Sequence, residues 1–145
     1  MPRPRGGEWL KGELASLKSR GVTDVVSLLT PSEEVELGLQ MESQYCADLG
    51  IRFHRHAVND GRIPLRPGFD DFIASLLPIL TQQGFIAIHC RAGIGRSTVV
   101  AAALLCRLGL SAPEALALIS SARGFEVPDT YDQLDFILSL DQPSM

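Results

Sequence analysis

The chain has 145 residues, of which 46% are hydrophobic and 21% charged, and its formal net charge is -4. A chain of this length can bury enough surface to fold without disulfides or a structural metal, so we expect one domain over residues 1–145. The acidic balance excludes the broad basic field with which proteins bind nucleic acid or anionic membranes, so any anion-binding site is expected to be local.

Predicted helices and strands alternate along the chain. Apolar spacing, runs of β-branched residues and glycine, proline and capping signals mark their limits. After a loose arm over residues 1–7, the predicted elements are a helix over 9–20, a strand over 22–29, a helix over 30–49 interrupted at Gly38, a strand over 51–58, a turn over 59–61, a helix over 67–80, a strand over 85–89, and helices over 95–108, 111–122 and 130–140. This order predicts an α/β fold, with a central, mostly parallel sheet flanked by helices. Ligands of such sheets bind beyond the carboxyl ends of the strands.

Residues 89–98, HCRAGIGRST, lie at such an end, between the strand over 85–89 and the next helix. A short loop in this position turns its backbone N–H groups toward a common centre, beside the positive end of a helix dipole. Gly93 and Gly95 allow the loop to curl around a tetrahedral oxyanion such as phosphate. The segment is not a nucleotide-binding Walker loop, because Cys90 stands in place of its first glycine and Arg96 in place of its lysine.

Cys90 and Arg96 predict nucleophilic chemistry on phosphorus. Arg96 can donate two parallel hydrogen bonds to phosphate oxygens. Its charge and the loop N–H groups favour a thiolate, so the pKa of Cys90 is expected to fall below the ~8.5 of a free cysteine. We therefore expect Cys90 to attack a phosphate that is held by Arg91, Ala92, Gly93, Ile94, Gly95 and Arg96.

The order His89, Cys90, five residues, Arg96 and Ser97 resembles the signature of the cysteine-dependent protein tyrosine phosphatase superfamily. The short chain is similar to the compact dual-specificity branch, including its bacterial members. Three further segments extend the resemblance over most of the chain. GVTDVVSLL (21–29) resembles the central strand of that branch, HAVNDGRIP (56–64) its general-acid loop, and RGFEVPDTYDQLDFI (123–137) the segment after its signature helix.

The resemblance implies a two-step mechanism that uses no metal and no other cofactor. Cys90 would form a phosphocysteine while an aspartic acid protonates the leaving group, and the same aspartate would then activate water. Ser97 would donate a hydrogen bond to the sulfur and ease its departure. His89 would hold the loop in place and maintain the electrostatic environment of the Cys90 thiolate without contacting phosphate.

Asp60 is the expected general acid. It follows a strand and lies four residues before Pro64, as the resembling loop suggests. Asn59 is a departure, since family loops often have proline just before the aspartate, and Asn-Asp-Gly is also an ordinary turn sequence. The alternatives are Asp24, inside a strand, and Asp129, at a helix start, and both are expected to be structural.

The expected function is that of a protein phosphatase that acts on phosphotyrosine, with phosphoserine and phosphothreonine admitted by a shallow pocket. An inositol phosphate or phosphoinositide phosphatase is one alternative, disfavoured because Arg91, expected at the rim, is the only basic residue inside the loop. A non-catalytic phosphate-binding module is the other. We expect a monomer that binds phosphorylated proteins and neither nucleic acid nor membranes.

The three cysteines Cys46, Cys90 and Cys106 are odd in number and far apart. This spacing argues against a disulfide framework or a closed zinc site and predicts reduced thiols in the cytoplasm. The first residues show no apolar stretch after their arginines, so no signal peptide is expected. Cys46 is a candidate for a protective disulfide with Cys90 under oxidation.

The sequence leaves the roles of four further residues open. Glu33, Glu36 and Glu42 all follow the central strand, and one of them is expected to pair with Arg96 and fix its orientation. Gln133 aligns with a water-positioning glutamine of larger tyrosine phosphatases. A capping box with Thr130, three residues earlier, would also fully explain a glutamine at this position.

Overall fold

Three parallel strands form the centre of the computed structural model, which describes residues 1–140. They are β1 (Asp24–Ser27), β2 (Arg52–Arg55) and β3 (Ile86–His89), in the order β2-β1-β3. All of β1 is buried, as its aliphatic sequence predicts for a central strand. Ser27 pairs with both Arg55 and His89, so the three strands end together at one edge of the sheet. The predicted parallel α/β fold is confirmed.

Helices cover both faces of this sheet. In chain order they are α1 (Leu10–Ser19), α2 (Pro31–Glu36), α3 (Glu42–Asp48), α4 (Gly68–Thr81), α5 (Arg96–Arg107), α6 (Ala112–Arg123) and α7 (Tyr131–Leu138), with a 3-10 turn over Gly7–Trp9 before α1. One apolar cluster packs α1 and α3 against Val25. A second packs the four helices α4, α5, α6 and α7 against Val26. Neighbouring β1 residues point to opposite faces, so one strand serves both clusters. Within residues 1–140, no helix has the length and apolar character needed to span a bilayer.

The predicted helix over 30–49 is two helices. Its predicted start is confirmed, with a capping box between Thr30 and Glu33. The chain leaves the helical path at Gly38, whose φ of 70° lies in the left-handed region that glycine accepts readily. Capping boxes also begin α6 at Ser111 and α7 at Thr130, the predicted starts of these two helices.

The prediction of a loose N-terminal arm is wrong, because residues 1–7 pack against the rest of the fold. The Arg3 N–H donates to the Arg91 carbonyl at 3.2 Å, and the Gly7 N–H donates to the Gly38 carbonyl at 3.0 Å. Pro4 is buried. The arm carries few apolar side chains, so hydrophobic patterning did not reveal contacts that its backbone makes.

Candidate active site

Residues 90–95, the phosphate loop, connect β3 to α5 at the carboxyl edge of the sheet. Five of its carbonyls accept hydrogen bonds from outside the loop: Cys90 from His89 Nδ1 at 3.2 Å, Arg91 from Arg3 N at 3.2 Å, Gly93 from Arg123 Nη1, Ile94 from Thr98 Oγ1 at 2.6 Å, and Gly95 from Val99 N at 3.2 Å. In a planar trans peptide the C=O and N–H groups point in opposite directions. These outer bonds therefore turn the N–H groups of the same peptides toward the inside of the loop.

Gly93 is required at the turn of this loop. Its φ is 75°, and an added Cβ would lie 2.3 Å from the Met1 carbonyl carbon, against the backbone of the N-terminal arm. Its N–H donates to Cys90 Sγ at 3.3 Å. The glycine thus allows the loop to curl under the arm while directing a donor at the sulfur.

Cys90 lies at the bottom of the loop and is 3% exposed. Burial favours the neutral thiol, but hydrogen bonds from the Ser97 hydroxyl, from the N–H groups of Ser97 and Gly93, and the charge of Arg96 outweigh it and lower the pKa of Cys90. The Ser97 Oγ lies 3.5 Å from the sulfur. This is the environment of a reactive thiolate, as the sequence predicts.

Arg96 is the first residue of α5, and its side chain is held inside the protein. Its two terminal nitrogens donate to both carboxylate oxygens of Glu33 at 2.7 and 2.9 Å, and Nη1 also donates to the Val58 carbonyl at 2.8 Å. Burial opposes the charge, yet the Glu33 carboxylate raises the pKa of Arg96. The buried Nε has no acceptor within the described residues, so this N–H is free to bind a phosphate oxygen.

Each of the three glutamates considered as a partner of Arg96 holds a basic residue of the site. Glu33 binds Arg96, Glu36 binds the Arg91 guanidinium at 2.8 and 3.1 Å, and the Glu42 Oε2 lies 2.7 Å from the His89 Nε2. The open question of which glutamate orients Arg96 is thereby answered. The Arg91 side chain is 40% exposed and lies at the rim, where it was expected. The Glu42–His89 pair is buried and fixes the ring that supports the start of the loop.

Asp60, the expected general acid, lies beside Arg96. It stands in a turn closed by the Arg62 N–H, which donates to the Asn59 carbonyl at 3.0 Å. Its side chain is 64% exposed, and Oδ1 lies 3.3 Å from Arg96 Nη2. The carboxyl group is therefore next to the arginine that would bind phosphate.

The two alternative acids make other contacts. Asp24 starts β1, at the opposite end of the strand, where Arg52 donates to it twice at 2.9 Å and His54 Nε2 lies 2.8 Å away. Burial favours its neutral form, but these hydrogen bonds and one from Thr23 lower the pKa of Asp24 to about 2. Asp129 precedes α7, where its N–H donates to Gln133. Both positions agree with the structural roles expected for them.

Cys46 and Cys90 belong to different apolar clusters, on opposite faces of the sheet. Cys46 is completely buried, and burial, with a smaller contribution from the Glu42 charge, raises its pKa to about 12. The proposed protective disulfide gains no support from this arrangement, because an inert thiol packed on the far face is not placed to attack Cys90.

Arg123 contributes to the site and was missed by sequence reasoning. It ends α6 and reaches across to the Gly93 carbonyl, while its guanidinium lies 5.1 Å from the Phe125 ring. A basic residue in the last turn of a helix is ordinarily explained by the helix dipole, so its sequence position gave no signal of this contact.

The comparisons with known proteins agree with this geometry. A family model described as "Tc-R-P: Polymorphic toxin system, DSP-PTPase phosphatase" matches residues 1–110. Cyclin-dependent kinase inhibitor 3 of Rattus norvegicus is 30% identical over 134 residues, which cover 88% of this chain and 61% of that protein. PRL-1 phosphatase of Drosophila melanogaster is 30% identical over 112 residues, covering 76% and 59%. The chain thus spans about three fifths of these two relatives.

The fold also matches a solved structure. A crystal structure of kinase associated phosphatase, in which serine replaces the catalytic cysteine, superposes with a TM-score of 0.84 at 22% identity. The match covers 99% of this chain and 86% of that one. At this identity the likeness supports the fold.

Proposed function

Because this chain belongs to the dual-specificity (DSP-PTPase) family of cysteine-dependent protein tyrosine phosphatases, we propose that it hydrolyses phosphate monoesters on proteins, with phosphotyrosine preferred and phosphoserine and phosphothreonine also accepted. The enzyme acts as a monomer on phosphorylated proteins. A reducing compartment such as the cytoplasm suits it, since its nucleophile must remain a free thiolate.

One observation carries the proposal: a thiolate, an arginine and a carboxyl group meet at one loop. Cys90 has a lowered pKa, Arg96 has a buried Nε with no acceptor among residues 1–140, and Asp60 lies 3.3 Å from that arginine. A phosphate bound by the loop N–H groups would lie between the nucleophile and the acid. A binding module needs neither the activated thiol nor the adjacent carboxyl group.

In the first step, the Cys90 thiolate attacks phosphorus and forms an S–P bond as the P–O bond to the leaving group breaks. Asp60 donates its proton to the departing oxygen. Arg96 and the inward N–H groups stabilise the charge on the remaining phosphate oxygens. These donors are preorganised by Glu33 and by the bonds to the loop carbonyls, so they need no rearrangement as charge develops.

In the second step, the Asp60 carboxylate removes a proton from water, which attacks phosphorus and breaks the S–P bond. The sulfur leaves as a thiolate. Ser97, 3.5 Å from Sγ, donates a hydrogen bond to that thiolate and stabilises it as the bond breaks. Phosphate then departs and the enzyme returns to its starting state.

Hydrolysis of p-nitrophenyl phosphate near pH 6, in the presence of EDTA and a reductant, tests this function. We expect activity in the parent and none in Cys90→Ser, and in Asp60→Asn a loss of roughly 100-fold or more. Glu36→Gln is a matched control, since Glu36 binds a rim arginine. An inactive folded parent, or an active Cys90→Ser, would contradict the proposal.

Substrate class requires a second comparison. Phosphate release is measured from one peptide sequence carrying phosphotyrosine, phosphoserine or phosphothreonine, and from phosphoinositides. We expect the highest kcat/KM for the phosphotyrosine peptide. A preference for phosphoinositides would overturn the assignment to protein substrates and leave the mechanism intact.

A further inference from the structure

Gln133 joins three segments of the site. Its side chain is completely buried in the first turn of α7. Oε1 accepts from the backbone N–H groups of Asp129 and Thr130, both at 3.2 Å, and Nε2 donates to the Arg62 carbonyl at 3.3 Å. The amide also lies against the phosphate loop, since a Cβ added to Gly95 would lie 2.7 Å from both Nε2 and Oε1.

The acid turn (residues 59–62) is anchored at both ends. On the entering side, the Val58 carbonyl accepts from Arg96 at 2.8 Å. On the leaving side, the Arg62 carbonyl accepts from the buried glutamine amide. Asp60 lies between these anchors with an exposed side chain, so its position depends on how the two ends of the turn are held.

We propose that Gln133 is a positioning residue for the general acid: it fixes the acid turn relative to the phosphate loop, so that the Asp60 carboxyl group reaches the leaving oxygen. This proposal rests on the phosphatase function proposed above. A capping box uses only the Oε1 atom, so the Nε2 bond to Arg62 is not explained by helix capping. Because Asp60 is the acid of the first step and the base of the second, a glutamine that holds the acid turn affects both steps, whereas a glutamine that positions water would affect only the second.

A misplaced acid can be detected by comparing substrates whose leaving groups differ in basicity. Phenolate is a stronger base than p-nitrophenolate, so phenyl phosphate depends more on protonation by Asp60 than p-nitrophenyl phosphate does. Displacing the acid therefore lowers kcat/KM for phenyl phosphate more than for the nitro ester. A general loss of folded enzyme lowers both by the same factor.

The test compares two variants that each remove one half of the capping box. Gln133→Met removes the Oε1 acceptor and the bond to Arg62, whereas Thr130→Val removes only the Thr130 hydroxyl, which accepts from the Gln133 N–H at 3.2 Å. We expect Gln133→Met to lower kcat/KM for phenyl phosphate roughly tenfold more than for the nitro ester. Thr130→Val should lower both equally, and Asp60→Asn should show the same selectivity as Gln133→Met, more strongly.

Two further measurements complete the test. Gln133→Glu keeps the Oε1 acceptor and loses the Nε2 donor, so it should show the same selectivity if Gln133→Met does not fold. Equal losses on the two esters in a folded Gln133 variant would overturn the proposal. So would a burst of p-nitrophenol followed by slow turnover in a Gln133 variant whose kcat/KM is unchanged on both esters, which indicates a defect confined to the second step. An inactive parent would overturn the phosphatase function and this inference together, whereas an active parent with unselective variants overturns only the inference.

Discussion

Replacing Glu33 with glutamine tests how Arg96 is held. The carboxylate binds the guanidinium through both oxygens, at 2.7 and 2.9 Å, and the side chains of Arg96 and Glu33 are only 1% and 11% exposed. Glutamine keeps one acceptor oxygen but turns an N–H₂ group toward a guanidinium N–H. One hydrogen bond and the Glu33 charge are lost together, which leaves the buried cation with only the exposed Asp60 carboxylate, 3.3 Å from Nη2, as an ion-pair partner.

Removing one partner of a buried ion pair costs about 3–5 kcal/mol. Glu33→Gln keeps an oxygen, and two backbone carbonyls still accept from Arg96, so we expect the free energy of unfolding to fall by about 3 kcal/mol. For a chain of this length the melting temperature should then fall by roughly 6–12 °C. A guanidinium that is no longer fixed in plane also binds the phosphate oxygens poorly, and kcat/KM should fall roughly 100-fold.

Urea unfolding followed by circular dichroism measures the first quantity and hydrolysis of p-nitrophenyl phosphate the second. Glu36→Gln is the matched control, because its exposed pairing with Arg91 should contribute little to either. Adding inorganic phosphate should restore part of the lost stability, since the anion supplies the missing charge. Equal behaviour of the two variants, or full activity in Glu33→Gln, would show that the backbone carbonyls alone position Arg96.

Three further outcomes follow from the geometry. Arg123→Met removes the donor to the Gly93 carbonyl and should weaken orthovanadate binding roughly tenfold in calorimetry. Arg107→Met, at an exposed position of α5, should leave the affinity unchanged. Equal affinities of the two variants would exclude a role for Arg123 in shaping the loop. The pKa of Asp24 is lowered from 3.8 to about 2, so its carboxylate stabilises the fold by about 2 kcal/mol above pH 4, and this is lost as the pH falls toward 2. The difference in unfolding free energy between the parent and Asp24→Asn should shrink over that window, and a constant difference would contradict the assignment. Alkylation of Cys90 by iodoacetate should show a midpoint below the ~8.5 of a free thiol, and Ser97→Ala should raise it, since a donor to the thiolate is lost; an unchanged midpoint would show that the hydroxyl does not contribute.

The features predicted correctly from the sequence are those determined by residues that lie close together along the chain. The strand, loop and helix around Cys90 and Arg96 follow from glycine placement and apolar patterning within about twenty residues. The capping boxes at Thr30, Ser111 and Thr130 are four-residue signals, and all three were found. The turn after a strand and the family resemblance both indicated Asp60 as the acid; the structure places it beside Arg96, and its catalytic role stays a prediction.

Features that depend on contacts between distant residues could not be assigned. Three glutamates within ten residues were equivalent candidates for Arg96, and only the packing of α2 and α3 gave each its own partner. Arg123 is 30 residues from the carbonyl it binds, and Gln133 is 71 residues from Arg62. A capping box or a helix dipole gave each a sufficient local explanation. A residue with a complete local role can therefore still have a second, long-range one.

The pairing of glutamates with basic residues also explains how an acidic protein can bind phosphate. Glu33 and Glu36 balance the charges of Arg96 and Arg91, and Glu42 binds the His89 ring, so the site does not depend on an excess of positive side chains. Its attraction for an anion comes from oriented donors: the inward N–H groups, the helix N-terminus and the Arg96 Nε, which has no acceptor among residues 1–140. Because these groups act through hydrogen bonds, they attract only an anion that is bound in the loop. The net charge of -4 and a phosphate-binding centre are therefore compatible, because orientation supplies locally what the overall charge does not.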